Sequence, residues 1–471
     1  MEVLFRSSAD STNVRNAWNL LIASQIVNIG FGLIAIFIPL LADEIHLRPS
    51  EIGLVISIFM ISRALAAYKI PALSDKLGRK TILILALLTY AISTALLGFA
   101  RDFWTLFLLR IIEGAATGAA FPTAEALLVD SVPQRERGGW MGKYFTTFNL
   151  GFVIGPGMGG ILFVSGRDVL GLSTLDAFAF PFVVTGCLGL CSLLAVVLFV
   201  SDVLVNPKKG YQRQLKRKES DTDQTTPYYA SFLAIAVING FAIGMIIPIF
   251  ALYMENDFQL EPELIGFIFT VSGTVSLLVN YPAGKLSDKV DRMVIVLPAM
   301  MLATLAFLGV GLATSFVVAV SFFILRSIAI QAFVPAYRAF QADIIPAARR
   351  GEVMGKIQWA FNIGAFFGPL VGAWLYELYE GKAMILPGGY SFFGGGLPFI
   401  AAAVVSIFQV SFALYILKTE RSNKGIQSKR FIRFPTVREI MNAYYSACGT
   451  SGFLGSYETC EKCGEVINKS E

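Results

Sequence analysis

One block of sequence occurs twice in this chain, and its internal spacing is kept. The first copy starts PALSDKLGRK at Pro71, continues through DSVPQRERGGWMGK and ends FNLGFVIGPGMGG; the second starts GKLSDKVDR at Gly284, continues through DIIPAARRGEVMGK and ends FNIGAFFGP. A constant offset of 213 residues carries Asp75 to Asp288, Arg79 to Arg292, Asp130 to Asp343, Gly142 to Gly355, Asn149 to Asn362 and Pro156 to Pro369. Sparse identity held at one register marks an internal duplication. The chain is therefore expected to fold as two like halves, with any binding site between them.

The solvent for those halves is lipid. Of 471 residues, 55% are hydrophobic and only 15% charged, against about a quarter charged in soluble domains. Apolar runs long enough to cross a bilayer, roughly 20 residues, recur throughout. They predict twelve spans: 18–41, 52–73, 81–99, 104–129, 144–166, 178–201, 229–254, 263–284, 293–312, 316–343, 357–378 and 397–418. The first run is too long for a signal-peptide core. The expected organisation is a polar N-terminus (1–17), six spans (18–201), a charged linker (202–228), six more spans (229–418) and a tail (419–471). If the N-terminus is inside, the outer loops hold only Arg48, Arg101, Arg167 and Lys382, and most of the 38 basic residues lie inside. The positive-inside rule thus predicts two cytoplasmic termini in a cell membrane. The formal charge of +5 suits anionic lipid headgroups and requires no nucleic acid.

Charges inside spans are costly, at least ~2.5–3.5 kcal/mol each on insertion scales, so each needs a partner or a cavity. Arg63 in the second span and Arg326 in the tenth are candidates for contacts in a substrate cavity, as are Asn28 in the first span and Asn239 in the seventh. The fourth span carries Arg110 and Glu113, three residues apart and so on one helix face. Either a mutually neutralising pair or a proton relay fits that spacing. Near the ends of the fourth and tenth spans, Glu125 and Arg338 share the 213 offset. They are a candidate gate: a salt bridge between the halves, formed when the cytoplasmic side closes.

The loop Asp75-Lys76-Leu77-Gly78-Arg79-Lys80 resembles the signature of the major facilitator superfamily, roughly G-x-x-x-D-[RK]-x-G-[RK]-[RK]. Pro71 stands in place of the first Gly; the second copy has Gly284 but reads Val290-Asp291 where Leu77-Gly78 stand in the first. The resemblance covers nearly the whole membrane part. It implies an all-α membrane fold of two six-helix bundles working by alternating access. It also implies an inner-face lock in each half: Asp75, Arg79 and Asp130, then Asp288, Arg292 and Asp343, with Asp75 capping the eleventh helix. Arg110 and Gly114 match the R-x-x-x-G of the family's antiporters, which implies a role in proton coupling, with Glu113 as carrier and Glu125 as second candidate. The fifth span holds Gly151, Gly155, Pro156, Gly159 and Gly160, the full antiporter pattern G-x-x-x-G-P-x-x-G-G; the eleventh repeats it as Gly364, Gly368, Pro369 and Gly372, with Ala373 last. Independently of any family, glycines four apart let a neighbouring helix approach closely.

The resemblance implies a drug–proton antiporter, exporting small amphipathic molecules as a monomer, with substrate, protons and the bilayer as partners. Two alternatives stay open: an importer or facilitator of an organic anion or sugar, with Arg63 and Arg326 as anion contacts, and a non-transporting sensor or scaffold. No cofactor is expected. The tail has one Cys-x-x-Cys-Gly knuckle (Cys460, Cys463) with Cys448 upstream, whereas structural zinc wants four ligands and the one histidine, His46, lies in an outer loop. No nucleophile–base set suggests an enzyme.

Overall fold

The computed structural model describes residues 2–133, 136–201, 228–287, 290–345 and 350–423, with two short strands beyond them. Among these, twelve long helices follow one another: α1 (Glu2–Glu44), α2 (Pro49–Leu77), α3 (Arg79–Leu97), α4 (Phe103–Ser131), α5 (Arg137–Val164), α6 (Thr174–Phe199), α7 (Tyr229–Leu252), α8 (Pro262–Ser287), α9 (Arg292–Gly311), α10 (Phe316–Ile344), α11 (Arg350–Tyr379) and α12 (Leu397–Asn423). The protein is an all-α membrane fold. Every span predicted from the sequence lies on its own helix. Most helices overrun the apolar runs because hydrogen bonding continues where hydropathy stops, although α3 and α6 end two residues before the predicted spans 81–99 and 178–201. The largest overrun is at the start: α1 begins at Glu2, so the polar residues ahead of the first predicted span are helical. Eleven of the helices are long and apolar enough to cross a membrane by composition. The exception is α11, where glycines, Pro369 and Asn362 lower the average.

The duplication is visible in the helix limits. α4 and α10 begin and end 213 residues apart, Pro49 opens α2 as Pro262 opens α8, and Arg137 opens α5 as Arg350 opens α11. Packing repeats as well: α1 with α5 and α6, α4 with α2 and α3, and α3 with α6 reappear as α7 with α11 and α12, α10 with α8 and α9, and α9 with α12. The register breaks between α11 and α12, where the second half inserts a hairpin, β1 (Ala383–Ile385) against β2 (Ser391–Phe393).

Among the described residues, the hydrogen bonds and glycine contacts between the halves lie toward one face. Arg79, Asp130, Arg292 and Asp343 mark one end of the helices, here the motif face; the α1–α2 and α5–α6 turns mark the far face. The main hydrophobic core fills the first half and continues into the far-face ends of α7, α10, α11 and α12 through Met245, Phe250, Phe323, Tyr376 and Phe399. The motif-face part of the second half has its own, separate core around Phe232, Val296, Phe333 and Ile416.

Candidate functional site

At the motif face, Gly78 takes φ 92°, a conformation favouring glycine, and turns the chain from α2 into α3. Arg79 then opens α3 within reach of the end of α4, where its Nη1 lies 2.5 Å from Asp130 Oδ2. In the second half Arg292 opens α9, and its Nη1 lies 2.6 Å from Asp343 Oδ2 at the end of α10. The first pair is the more sheltered: the side chains are 12% and 20% exposed, against 25% and 61%. The side chain of Asp75, all of Asp288 and the residues preceding α11 lie outside the described residues, as do Cys448, Cys460 and Cys463.

At mid-depth, Arg110 and Glu113 form an ion pair of 2.5 Å between Nη1 and Oε2. Both are buried, Glu113 fully, and the guanidinium lies 3.9 Å from the centre of the Phe59 ring on α2. Among the described residues, Glu113 Oε1 makes no hydrogen bond of good geometry, and neither do its neighbours Tyr90 Oη and Thr94 Oγ1, buried on the adjacent α3. A carboxylate with one paired and one unpaired oxygen is suited to hold or release a proton. The 213 offset also carries Glu113 to Arg326 and Arg110 to Phe323, an inversion that the sequence reading missed. Arg326 is buried between the rings of Phe307 and Phe323, at 5.3 and 5.5 Å, and forms no ion pair among the described residues. Phe323, in the place of Arg110, stacks on Phe250.

Of the cavity candidates, Arg63 sits between the rings of Phe31 and Phe121, at 5.1 and 5.0 Å. Phe59, Phe148 and Phe152 complete a cluster of five rings with centroid spacings of 5.2–6.3 Å. Arg63 is only part-buried and has no ion pair among the described residues. Asn239 lines a cavity of about 200 Å³ in the second half. The other two candidates are placed elsewhere. Asn28 is fully buried in the α1–α5 seam, where its amide donates to Thr147 Oγ1 at 3.3 Å; Arg326 is enclosed as described, because the phenylalanines beside it shield it. Glu125 and Arg338 are not joined: Arg338 donates to Gln358 Oε1 at 2.9 Å, and Glu125 forms no ion pair among the described residues. The physical reason is that the halves are in contact at the other face.

The repeated glycines build two kinds of contact. Gly151 and Gly155 lie against the α1 backbone at Asn28 and Ile29, and Gly159 against Phe37; Gly364 and Gly368 lie against α7 at Val237 and Phe241, and Gly372 against Met245. A Cβ at most of these sites would strike backbone. Gly160 faces Glu263 of α8, in the other half. The two prolines mark matching crossings between halves: the Pro156 carbonyl meets Gly266 and the Pro369 carbonyl meets Gly53, four positions related in pairs by the 213 offset. Two more equivalent residues tie the crossings. Ser57 Oγ donates to the Phe366 carbonyl at 2.8 Å, and Gly157 N donates to Thr270 Oγ1 at 2.8 Å.

Beyond the crossings, charged groups close the far face. Arg167, just past α5, donates to Glu261 and Glu263 in the other half, each at 3.1 Å. Ser50 N donates to Glu377 at 2.9 Å. Glu380 accepts from Asn256 at 3.1 Å; burial, then the negative charge of Asp43 from the first half, raise its carboxyl above the ordinary glutamate range. In the sequence Arg167 is one of four basic residues in the predicted outer loops. Nothing in the sequence alone says which loop charges will face each other.

The profile described as Major Facilitator Superfamily matches residues 20–228 and 232–456. Multidrug resistance protein 2 of Bacillus subtilis is 25% identical over 382 residues, 79% of this chain and 91% of that protein. Quinolone resistance protein NorA of Staphylococcus aureus is 23% identical over 383 residues, 78% of this chain and 92% of that protein. Among solved structures, a bacterial homologue of the human lysosomal transporter Spinster, inward-facing and unoccupied, superposes with a TM-score of 0.69 at 16% identity, covering 89% of this chain and 99% of that one.

Proposed function

Because the chain belongs to the major facilitator superfamily, whose members are transporters, we propose that it is a proton-coupled exporter of small amphipathic molecules. The motif face is cytoplasmic on the positive-inside rule. The observation that carries the reading is the unequal closure of the two faces: matched glycine–proline crossings and the Arg167 pairs hold the far face shut, while Glu125 and Arg338 stand apart at the motif face. That is one of the two states alternating access requires.

In this reading a substrate enters from the cytoplasmic side and meets the phenylalanine cluster around Arg63. Glu113 carries the coupling proton. Protonated, it releases Arg110 from neutralisation; ionised, it pairs with it. As the halves tilt, Glu125 reaches Arg338 and closes the cytoplasmic side, and the Arg167 pairs separate. The multidrug resistance and quinolone resistance names of the relatives support export of drug-like compounds.

The test uses inverted membrane vesicles whose lumen is acidified, with a fluoroquinolone as probe. Export predicts accumulation that collapses when the pH gradient is dissipated, and its loss in Glu113→Gln with the protein still folded. Accumulation indifferent to the gradient would remove the proton from the mechanism. A second reading, transport of an organic anion, is favoured by Arg63 and Arg338, cations without a carboxylate partner among the described residues.

A further inference from the structure

The cavity of about 200 Å³ in the second half lies between α7, α10 and α11, in their motif-face halves. Among the described residues its wall holds one cation, Arg338, and no carboxylate. Four further polar side chains line it: Asn239, Tyr337, Gln341 and Gln358. Two of them have been desolvated without being paired. Gln341 is 1% exposed and Tyr337 7%; the two side chains neighbour each other on α10, yet among the described residues neither the amide atoms of Gln341 nor Tyr337 Oη make a hydrogen bond of good geometry. Buried polar atoms are otherwise hydrogen-bonded as a rule, so this pair leaves two donors, the Gln341 amide N–H and the Tyr337 hydroxyl, free for a polar group in the cavity. The rest of the wall is apolar, including Ile235, Phe333 and Phe361.

We infer that this cavity is a binding subsite for a small aryl carboxylate, one ring bearing one anionic group. The guanidinium supplies the charge. Gln358 takes one of its N–H groups and fixes its plane, which leaves the others for a two-pronged contact with a carboxylate. The Gln341 amide and the Tyr337 hydroxyl donate to the same group, and the apolar wall takes the ring. Size agrees: an apolar cavity of roughly 150 Å³ holds benzene, and the remaining volume suits a carboxylate. A cation would lack a counter-charge here. A sugar would leave hydroxyls unpaired against Ile235, Phe333 and Phe361, a cost of about 1–3 kcal/mol for each lost hydrogen bond.

This subsite rests on the transport reading and narrows its substrate class. It also gives Arg338 alternating partners, the bound anion while the motif face is open and Glu125 when it closes.

Binding is measured separately from flux, so that one can fail without the other. The purified full-length protein in detergent is titrated by calorimetry with benzoate, benzamide and benzylamine, and with glycerol 3-phosphate as a stand-in for a lipid headgroup. Benzoate should bind at least 10-fold more tightly than benzamide, and benzylamine should not bind. Arg338→Gln should weaken benzoate 10-fold or more, and Gln341→Leu about 5-fold, with unfolding temperatures near that of the parent protein. Three results would overturn the inference: equal binding of benzoate and benzamide, binding of glycerol 3-phosphate in place of benzoate, or benzoate binding that survives Arg338→Gln. If benzoate binds as expected and vesicles show no flux of any probe, the transport reading fails and the subsite stands.

Discussion

The two halves share a backbone and differ in charge. Where the first half has Glu113, Glu125 and Arg167, the second has Arg326, Arg338 and Glu380, each at the same 213 offset. The seam glycines show no such divergence: Gly151 and Gly155 correspond to Gly364 and Gly368, and each lies against backbone of the facing helix. A site closed in by backbone tolerates no side chain, so both copies keep it. A site lined by side chains can be repacked, and there the copies have gone separate ways, the first to a buried ion pair and the second to a lone guanidinium held by rings.

The widest gap between the halves should appear on removing one arginine from each. Arg110→Met leaves Glu113 buried and unpaired and should cost ~3–5 kcal/mol, read as a large fall in unfolding temperature in detergent. Arg326→Met deprives no acid of its partner and should leave stability unchanged or raised. Equal losses would mean that Arg326 has a counter-charge and that the halves do not differ as described.

Next in size are the seams, where the halves should behave alike. Gly155→Ala and Gly368→Ala both drive a Cβ into helix backbone, and overpacking of this kind costs about 1–3 kcal/mol. A tolerated substitution in one half only would break the equivalence of α1–α5 with α7–α11.

Smaller still are the motif-face pairs. Asp130→Asn should cost ~1 kcal/mol and Asp343→Asn a few tenths, because the second pair is more exposed. Thermal unfolding of the two variants side by side measures the ranking, and its reversal would show that burial does not set the strength of these pairs.

The smallest effect is a pH dependence of far-face closure. The raised Glu380 carboxyl favours its protonated form in this state. Its contribution is therefore complete below the ordinary glutamate value and is lost as pH rises through the raised one. Far-face closure should weaken over that window, and Glu380→Gln should flatten the response. A closed far face that strengthens with pH would contradict the assignment.

Much of this was legible in the sequence, because glycine, proline and a few charges at one offset survive divergence. The twelve helices followed from it, while the Arg79–Asp130 and Arg292–Asp343 pairs were what the family resemblance implied. The inversion of Glu113 into Arg326 shared the same offset and went unread, since an acid and a base have no identity to align. Asn28 was unreadable for another reason: a polar residue in a span serves a seam or a cavity equally well, and only the packing of α5 on α1 decides. The Arg167 pairs with Glu261 and Glu263 depend on which loops meet across the interface, which no local pattern encodes. The helical start of α1 was missed because its first residues are polar, and hydropathy measures lipid contact, not backbone hydrogen bonding.

Alternating closure of the two faces is tested most directly by two label distances in a cysteine-free background. Gly142 and Gly355 are equivalent, exposed, motif-face positions with nothing within 4 Å of an added Cβ, and Val169 and Lys382 are equivalent, exposed, far-face positions. Spin labels at Gly142→Cys and Gly355→Cys should draw together, and labels at Val169→Cys and Lys382→Cys should move apart, when the protein in nanodiscs is shifted between pH 5 and pH 8. Two distances that lengthen together, or neither of which changes, would contradict it.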